Sequence, residues 1–323
     1  MIKLAVGIDI GGTNTVYGIV DEHGKIYGEG HFPTRKYADF ELFMQALADN
    51  IKSLATDVPE NYELIGLGLG APNANYYTGN IEFAVNLLWT GVLPIAQKLK
   101  EHFPGLPVVI TNDANAAAIG EMVYGGAKGM KDFVVITLGT GLGSGIVAGG
   151  ELLYGHDGFA GELGHIIVTP DGRECGCGRK GCLETYASAS GIIRTVYKLL
   201  ADHRGDSELK SISFNELSAD MITKAAINRD PIAIEAFAHT GRLLGLALAN
   251  MIAITSPEAI FLFGGLAKAG KYIFDPVKEY MEENLLKFWK GKVKLLPSGL
   301  NDETNAAVLG SAALAWKEIK NKK

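Results

Sequence analysis

Cysteine and positive charge are both scarce in this sequence. Only three cysteines occur among 323 residues, and all of them lie within residues 175–182. An odd and clustered set of this kind does not build a disulfide framework, and it favours metal ligation instead. The net charge is −6, and the one Lys-rich segment, residues 317–323, is typical of a solvated helix end. Because nucleic-acid binding needs a concentrated basic face, we expect no nucleic-acid partner.

Long hydrophobic runs are missing as well. Apolar stretches such as residues 243–254 are short and are interrupted by glycine, alanine and asparagine, so we expect no membrane span. The chain passes from Met1 directly into a strand-like segment, without the charged leader, apolar stretch and cleavage site of a signal peptide. We therefore predict a cytoplasmic protein. Hydrophobic residues make up 47% of the chain, which is enough to fill a core in each of two domains.

Glycine, by contrast, is abundant, and glycine turns separate alternating strands and helices. Apolar runs predict strands at residues 4–10, 15–20, 25–30, 64–69, 108–111, 133–138, 145–148, 151–154, 258–263 and 293–296. Helical periodicity predicts helices at residues 40–54, 114–124, 188–203, 219–228, 231–254, 275–289 and 304–319. The alternation predicts an α/β protein with a cleft between two lobes.

A weak internal repeat relates the two halves. Residues 8–11 and residues 136–139 share an Ile-x-Ile/Leu-Gly pattern at an offset of 128. Each copy is a strand, a glycine turn and a second strand. Glycine-rich hairpins can resemble one another by chance, but the similar order of elements around each copy favours duplication.

The first glycine turn, Asp9-Ile10-Gly11-Gly12-Thr13-Asn14, is a candidate phosphate loop. Glycines let backbone N–H groups turn toward an anion, and Thr13 and Asn14 add side-chain donors. Asp9 can hold a magnesium ion through water. A tight hairpin turn explains Gly-Gly-Thr equally well when it is considered alone. A second loop, with Gly139, Thr140 and Gly141, has the same character, and two such loops together indicate a nucleotide held from both sides.

Other nucleotide-binding motifs are absent. The sequence contains no GxxxxGK[ST] segment. Residues 66–71 spell GxGxxA, but Pro72 follows and no helix is predicted there, so we reject a dinucleotide fingerprint.

Asn112 and Asp113 lie where a predicted strand ends and a predicted helix begins. A carboxylate at this position can accept a proton from a substrate hydroxyl. Asp113 can equally be a plain helix N-cap, and the spacing alone does not separate the two roles.

His165 and the three cysteines form a candidate metal site. Cys175, Cys177 and Cys182 are spaced C-x-C-x4-C with glycines between them, and three thiolates with one imidazole complete a tetrahedral structural zinc site. Three ordinary reduced cysteines are the alternative, and a lone histidine is usually a core residue. The density of the cluster and the nearness of His165 favour zinc.

These motifs together resemble the ROK family of sugar kinases and repressors. The matching segments are residues 9–13, 112–113, 138–143, 162–165 and 175–184, and they occur in family order over nearly the full chain. The resemblance implies an actin-like fold (hexokinase-type, ribonuclease H-like) with a cleft between two domains. It implies ATP and Mg²⁺ as cosubstrates, one zinc ion, a homodimer, and phosphorylation of a hexose at its 6-hydroxyl. The lobes would comprise residues 1–115 plus 305–323, and residues 116–304.

The resemblance also implies roles for individual residues. Asp113 would be the catalytic base and Asn112 a sugar ligand. The sugar hydroxyls near the anomeric carbon would bind three further residues, Glu162, His165 and Glu184. His165 would serve both zinc and sugar through its two ring nitrogens.

Two further positions follow from the same resemblance, and one departs from it. Asn86, before a Leu-x-Trp turn, resembles a sugar-contacting asparagine, and Gly264-Gly265 resembles the turn on the adenosine side. Many members carry Gly-x-Pro-Gly before the sugar pocket, whereas this chain has Asn73 at the last position. That side chain puts the choice of sugar in question, not the kinase activity.

The expected function is phosphorylation of glucose, because the cluster of acceptors suits an unsubstituted hexose. Kinases of N-acetylmannosamine and N-acetylglucosamine are the alternatives. A sugar-responsive repressor of the same family would need a DNA-binding module before the first loop, and only eight residues precede Asp9. A sugar sensor without catalysis would be expected to lose the base or a phosphate loop, and this sequence keeps both.

Overall fold

The computed structural model describes residues 1–58, 61–202, 205–300 and 306–321, and it divides the chain into two compact units. Unit 1 comprises Met1–Met130, Glu151–Gly161 and Ser298–Lys323, and unit 2 comprises Lys131–Gly150 and Glu162–Pro297. The boundary expected between residues 115 and 116 falls inside a helix of unit 1. The boundary expected between residues 304 and 305 lies outside the described residues.

The strands follow the chain in an order close to the prediction. They are β1 (Ile2–Ile10), β2 (Asn14–Val20), β3 (Ile26–Pro33), β4 (Tyr62–Gly70), β5 (Ile81–Glu82), β6 (Val92–Leu93), β7 (Val108–Thr111), β8 (Phe133–Leu138), β9 (Leu142–Ala148), β10 (Glu151–Leu152), β11 (Ala259–Phe263) and β12 (Lys294–Pro297). The strand predicted at residues 145–148 already begins at Leu142, so the second glycine turn comprises residues 139–141 alone. The glycines at 143 and 145 lie within the strand.

The helices are α1 (Phe40–Thr56), α2 (Ile95–His102), α3 (Asp113–Val123), α4 (Ala189–Asp202), α5 (Ala219–Ile227), α6 (Pro231–Thr255), α7 (Lys271–Asn284) and α8 (Ala306–Asn321). Helix α2 was not predicted. Helix α7 begins and ends earlier than the expected residues 275–289. Its buried positions Ile273, Val277 and Met281 recur every four residues, and the backbone becomes extended at Leu285. Position 203 of the helix expected at 188–203 and positions 304–305 of the last one lie outside the described residues.

Each unit contains a sheet with the same arrangement of four strands. In unit 1, β1 pairs with β2 in an antiparallel hairpin and with β4 in parallel, and β4 pairs in parallel with β7. Unit 2 repeats this with the hairpin β8–β9 followed by the parallel strands β11 and β12. Strand β3 extends the hairpin of unit 1. The repeated arrangement agrees with the weak sequence repeat, and it places a glycine turn at the same point of each sheet.

Helix α8 packs against the sheet of unit 1 at positions that require glycine. A Cβ on Gly7 would overlap the backbone of Val308, and a Cβ on Gly68 would overlap the carbonyl of Ser311. Because both strands expose bare backbone there, the helix approaches β1 and β4 closely. This packing fixes the end of β1, where the first glycine turn starts.

Helix α6 is long and apolar enough to cross a membrane by length and composition alone, but 56% of its most apolar window is buried inside the protein. The side chain of Asp230 caps its first turn by accepting bonds from the N–H groups of Ile232 and Ala233. Gly241 and Gly245 allow close contact with α7. These contacts are those of a core helix of unit 2.

Candidate functional site

The first glycine loop connects β1 to β2 in unit 1. Its turn is closed by a hydrogen bond of 2.9 Å from the Gly11 N–H to the Asn14 carbonyl, and the side chains of Thr13 and Asn14 are exposed. A Cβ on Gly12 would lie 2.5 Å from the carbonyl oxygen of Asn86. Residue 12 must therefore be glycine, and the structure brings the predicted Asn86 to the loop.

A short 3-10 helix, Thr34–Lys36, forms hydrogen bonds with the carbonyl groups of this loop. The sequence did not predict these bonds. The buried Thr34 hydroxyl donates to the Gly11 carbonyl at 2.8 Å, and its N–H donates to Thr13 at 2.8 Å. The exposed Arg35 donates from Nε to the Gly12 carbonyl at 3.1 Å. The loop carbonyls are thus held by protein donors. The two side-chain contacts each span 23 residues, and no local sequence pattern predicts them.

Two carboxyl groups lie near the start of this loop. Burial, and to a smaller extent the nearby Asp113 carboxyl, raises the pKa of Asp9 from 3.8 to about 7. Burial also raises the pKa of Asp113, although backbone N–H groups, that of Ala114 first, oppose the rise. The Asp113 side chain keeps solvent access, yet the protein around it removes much of the bulk water. The pair can hold a proton or a cation, because each ionised group destabilises the other.

The structure shows whether Asp113 is the N-cap of α3, which was the alternative to its role as a proton acceptor. Asn112 is the N-cap, with an extended backbone (φ −68°, ψ 161°), and its Oδ1 accepts from the Asn115 N–H at 2.7 Å. Asp113 is the first helical residue, and its Oδ1 accepts from the Ala114 N–H at 2.8 Å. The carboxylate is therefore not the cap. The Oδ1 atom of Asn112 is thus used by the helix cap.

The second glycine loop, residues 139–141, connects β8 to β9 in unit 2. The Gly139 N–H donates to the Gly141 carbonyl at 3.0 Å. The first turn of α4 holds the other two carbonyls of the loop, because the Ala189 N–H donates to the Gly139 carbonyl at 2.8 Å and the Ser190 hydroxyl donates to the Thr140 carbonyl at 2.9 Å. Among the described residues, no atom lies within 4 Å of the position that a Gly139 Cβ would take. One face of the loop is open.

Gly264 and Gly265 follow β11, which lies beside β8. Gly264 has φ of 101°, and a Cβ there would lie 2.8 Å from the Leu138 carbonyl. Both the backbone angle and the close approach require glycine. Within the described part of the chain, the space around a Gly265 Cβ is empty. The structure thus brings the predicted adenosine-side turn to the start of the second glycine loop.

The predicted metal ligands converge in unit 2. The four candidate ligand atoms, from His165, Cys175, Cys177 and Cys182, all lie within 4.8 Å of one another. The Sγ atoms of Cys177 and Cys182 are 3.7 Å apart, and Cys175 Sγ is 3.7 Å from His165 Nδ1. Tetrahedral zinc with Zn–S bonds of 2.3 Å requires an S–S separation of about 3.8 Å. The residues fit a structural zinc ion, and Nδ1 is the histidine atom that faces it.

Turns and short bridges shape the segment that carries these ligands. Gly178 and Gly181 have positive φ, and Arg179 donates from Nη2 to the His165 carbonyl at 2.9 Å. Residue 182 forms an antiparallel bridge with Ile167. These contacts therefore hold the chain near His165, the first of the four candidate ligands, close to the chain near Cys182, the last.

The two predicted sugar-binding glutamates flank this segment. Glu162 immediately precedes the 3-10 helix Leu163–His165, and its carbonyl accepts from the His165 N–H at 3.0 Å. Glu184 lies in the 3-10 helix Leu183–Thr185, and its Oε2 accepts from the Leu142 N–H at 3.0 Å. The sequence did not predict this contact between Glu184 and the end of the second glycine loop.

Asn73, which departs from the expected Gly-x-Pro-Gly pattern, has a backbone conformation that glycine adopts readily. Its φ is 53°, in the left-handed region that asparagine tolerates better than most residues. The Nδ2 atom donates to the Glu82 carbonyl at 3.0 Å. The side chain is thus bound to the neighbouring turn, which explains how this position dispenses with glycine.

Comparisons with known proteins agree with these motifs. A model of the ROK family matches residues 5–318. A glucokinase of Halalkalibacterium halodurans is 40% identical over 283 residues, which cover 86% of this chain and 84% of that protein. A xylose repressor of Bacillus spizizenii is 29% identical over 312 residues, which cover 96% of this chain and 76% of that protein.

A solved structure has the same fold. The ROK family glucokinase from Streptomyces griseus, in complex with glucose and AMPPNP, matches with a TM-score of 0.79 at 33% identity. The match covers 97% of this chain and 99% of that one. The prediction of an actin-like α/β fold is thereby confirmed.

Proposed function

The chain belongs to the ROK family, and we propose that it is a glucokinase that transfers the γ-phosphoryl group of ATP to glucose. One observation carries the proposal: the carboxyl pair Asp9 and Asp113 lies beside a glycine loop, in a chain that resembles a glucokinase bound to glucose and AMPPNP. We assign the 6-hydroxyl of glucose as the acceptor. This is the primary hydroxyl of the sugar, and it is the least hindered nucleophile.

Asp113 is the proposed base. As the sugar oxygen attacks the γ-phosphorus, its proton passes to the Asp113 carboxylate, and the bond from phosphorus to the ADP oxygen breaks. The raised pKa makes this carboxylate a stronger base than an exposed aspartate. Its position in the first turn of α3 favours the ionised state before the reaction.

The two glycine loops are the proposed phosphate-binding elements. Residues Gly11, Gly12, Thr13 and Asn14 present N–H groups and polar side chains, and Gly139, Thr140 and Gly141 do so in unit 2. Asp9 would hold Mg²⁺ through water, and the cation would supply positive charge to the transferring phosphoryl group. Gly264 and Gly265 would border the adenosine.

The proposed sugar ligands are Asn86, Asn112, Glu162, His165 and Glu184. Asn112 keeps its amide nitrogen for a sugar oxygen, because its Oδ1 caps α3. His165 directs Nδ1 toward the cysteine set, which leaves Nε2 for a hydroxyl. Hydrogen-bonding sites of this kind reject analogues that leave buried polar groups unpaired.

We propose that the zinc ion is structural rather than catalytic. His165, Cys175, Cys177 and Cys182 would fill all four tetrahedral positions, so the ion would hold the segment between Glu162 and Glu184 and would offer no open position for chemistry. We further propose a cytoplasmic homodimer that supplies phosphorylated glucose to glycolysis.

A panel of sugars tests the substrate. The values of kcat/KM for glucose, N-acetylglucosamine and N-acetylmannosamine are measured with saturating MgATP. We expect glucose to be preferred, because the acceptors of Glu162, His165 and Glu184 suit the adjacent hydroxyls of an unsubstituted hexose. A kcat/KM for either N-acetylhexosamine well above that for glucose would overturn this assignment.

The likeness to xylose repressors supports one alternative, a sugar-responsive regulator without catalysis. Such a protein would bind a sugar and release no ADP. The retained Asp113, Asp9 and both glycine loops favour the kinase. Failure to release ADP with any sugar of the panel would favour the regulator.

A further inference from the structure

The Glu184 carboxylate lies against both the metal-ligand segment and the second glycine loop. Its Oε2 accepts from the Leu142 N–H at 3.0 Å, and its Oε1 lies 3.8 Å from Cys175 Sγ. Leu142 is the first residue after the loop, 42 positions away in the sequence. One side chain therefore contacts the loop that we assign to nucleotide and the segment that we assign to sugar.

The Glu184 carboxylate packs against the loop at residue 141. A Cβ on Gly141 would overlap Glu184 Oε2, whereas the space at Gly139 is open within the described residues. Any side chain at residue 141 must push the carboxylate away. A side chain at residue 139 leaves it in place.

The residues that follow Glu184 hold the rest of the loop. The Ala189 N–H binds the Gly139 carbonyl, and the Ser190 hydroxyl binds the Thr140 carbonyl. The Ser188 hydroxyl in turn donates to the Glu184 carbonyl at 2.7 Å. Residues 184–190 thus contact the loop at Gly139, at Thr140 and, through Glu184, at the N–H of Leu142 that follows it.

We infer that Glu184 couples the sugar to the nucleotide loop, with Oε2 anchoring the loop and Oε1 binding a sugar hydroxyl. This inference rests on the proposed function. Its consequence is that the affinity for glucose, measured without any nucleotide, depends on the residue at position 141. Coupling between two ligands is reciprocal, so glucose and an ATP analogue should raise each other's affinity by one common factor, typically about 5–150-fold.

Calorimetry with glucose alone tests the inference on wild type, Gly141→Ala and the matched control Gly139→Ala. We expect Gly141→Ala to raise the Kd for glucose roughly tenfold or more, because its methyl group displaces Glu184. Gly139→Ala should keep the wild-type Kd for glucose, because its methyl group meets no neighbour. An unchanged Kd in Gly141→Ala would overturn the coupling while leaving the kinase proposal intact. A wild-type protein that binds no glucose would overturn the proposed function, and the coupling with it.

Glu184 variants provide a second measurement that does not depend on a glycine change. Glu184→Gln keeps an oxygen that can accept from Leu142, so it should keep the factor by which AMPPNP raises glucose affinity. Glu184→Ala should bring that factor close to one and should speed hydrogen exchange at the Leu142 amide. Thermal unfolding and metal content identify any variant that is merely misfolded. A folded Glu184→Ala protein with wild-type coupling would contradict the inference.

Discussion

The Asp113 carboxyl lies close enough to Asp9 to help raise the pKa of that residue to about 7. Asp9 is the penultimate residue of strand β1, and Asp113 begins helix α3. Strand β4 lies between β1 and β7, and β7 leads into α3, so the sheet itself places the two residues at one end. Two carboxyl groups that oppose each other's ionisation form a site prepared for a proton and a cation.

The role of Asp113 as base predicts a large loss of rate on substitution. Asp113→Asn should lower kcat by roughly 10²–10⁴-fold, because the amide cannot accept the hydroxyl proton. The melting temperature should not fall, because Asn112 rather than Asp113 caps α3 and burial disfavours the Asp113 charge that the substitution removes. Steady-state kinetics, glucose binding and thermal unfolding measure the three effects. A variant with near-normal kcat would remove Asp113 from this role.

The raised pKa of Asp9 predicts a pH-dependent stability in the absence of Mg²⁺. The folded state holds the Asp9 proton more tightly than the unfolded state does, so the charge begins to destabilise the fold above pH 4 and does so fully above about pH 7. Asp9→Asn should therefore raise the melting temperature at pH 8 and have little effect at pH 4. Equal shifts at the two pH values would contradict the burial of an ionised carboxylate.

Arg35 is predicted to support the first glycine loop. Arg35→Ala should raise the KM for MgATP several-fold, because the Gly12 carbonyl loses its donor. Lys36→Ala is the matched control: the neighbouring cation lies over the Tyr37 ring, 5.5 Å from its centroid. Kinetics at varied MgATP compare the two. Equal effects of the two variants would show a general effect of charge rather than of the loop contact.

The cysteine set predicts one zinc ion per chain. Cys177→Ser should lower both zinc content and thermal stability, because one of four ligands is weakened. It should raise the KM for glucose more than that for ATP, because the segment carries His165 and Glu184. Elemental analysis of protein purified without added metal checks the first point. Fully active enzyme without zinc would end this proposal.

The sequence could predict features that depend on neighbouring residues. The hairpin β1–β2 and its glycine loop follow from two apolar runs separated by turn residues. The metal ligands could be found because three of the four lie within residues 175–182, and zinc chemistry then demands a fourth. Helix α2 was missed although its buried residues Ile95, Ala96 and Leu99 follow a helical spacing, because its eight residues make only about two turns.

Contacts between distant segments could not be predicted. Arg35 lies 23 positions from Gly12, and Glu184 lies 42 positions from Leu142, so no spacing relates them. Asn112 and Asp113 are both good capping residues, and only the backbone angles of the folded chain decide between them. These contacts depend on tertiary packing, which a local sequence pattern cannot predict.

The central claim, phosphoryl transfer from ATP to glucose, is tested most directly by the release of ADP. Purified protein with MgATP is assayed by coupled ADP detection, with and without glucose, beside the Asp113→Asn variant. The account predicts rapid ADP release that requires glucose, forms one glucose 6-phosphate per ADP and falls by at least about 10²-fold in the variant. ADP release that does not respond to glucose, or that is equal in the two proteins, would contradict it.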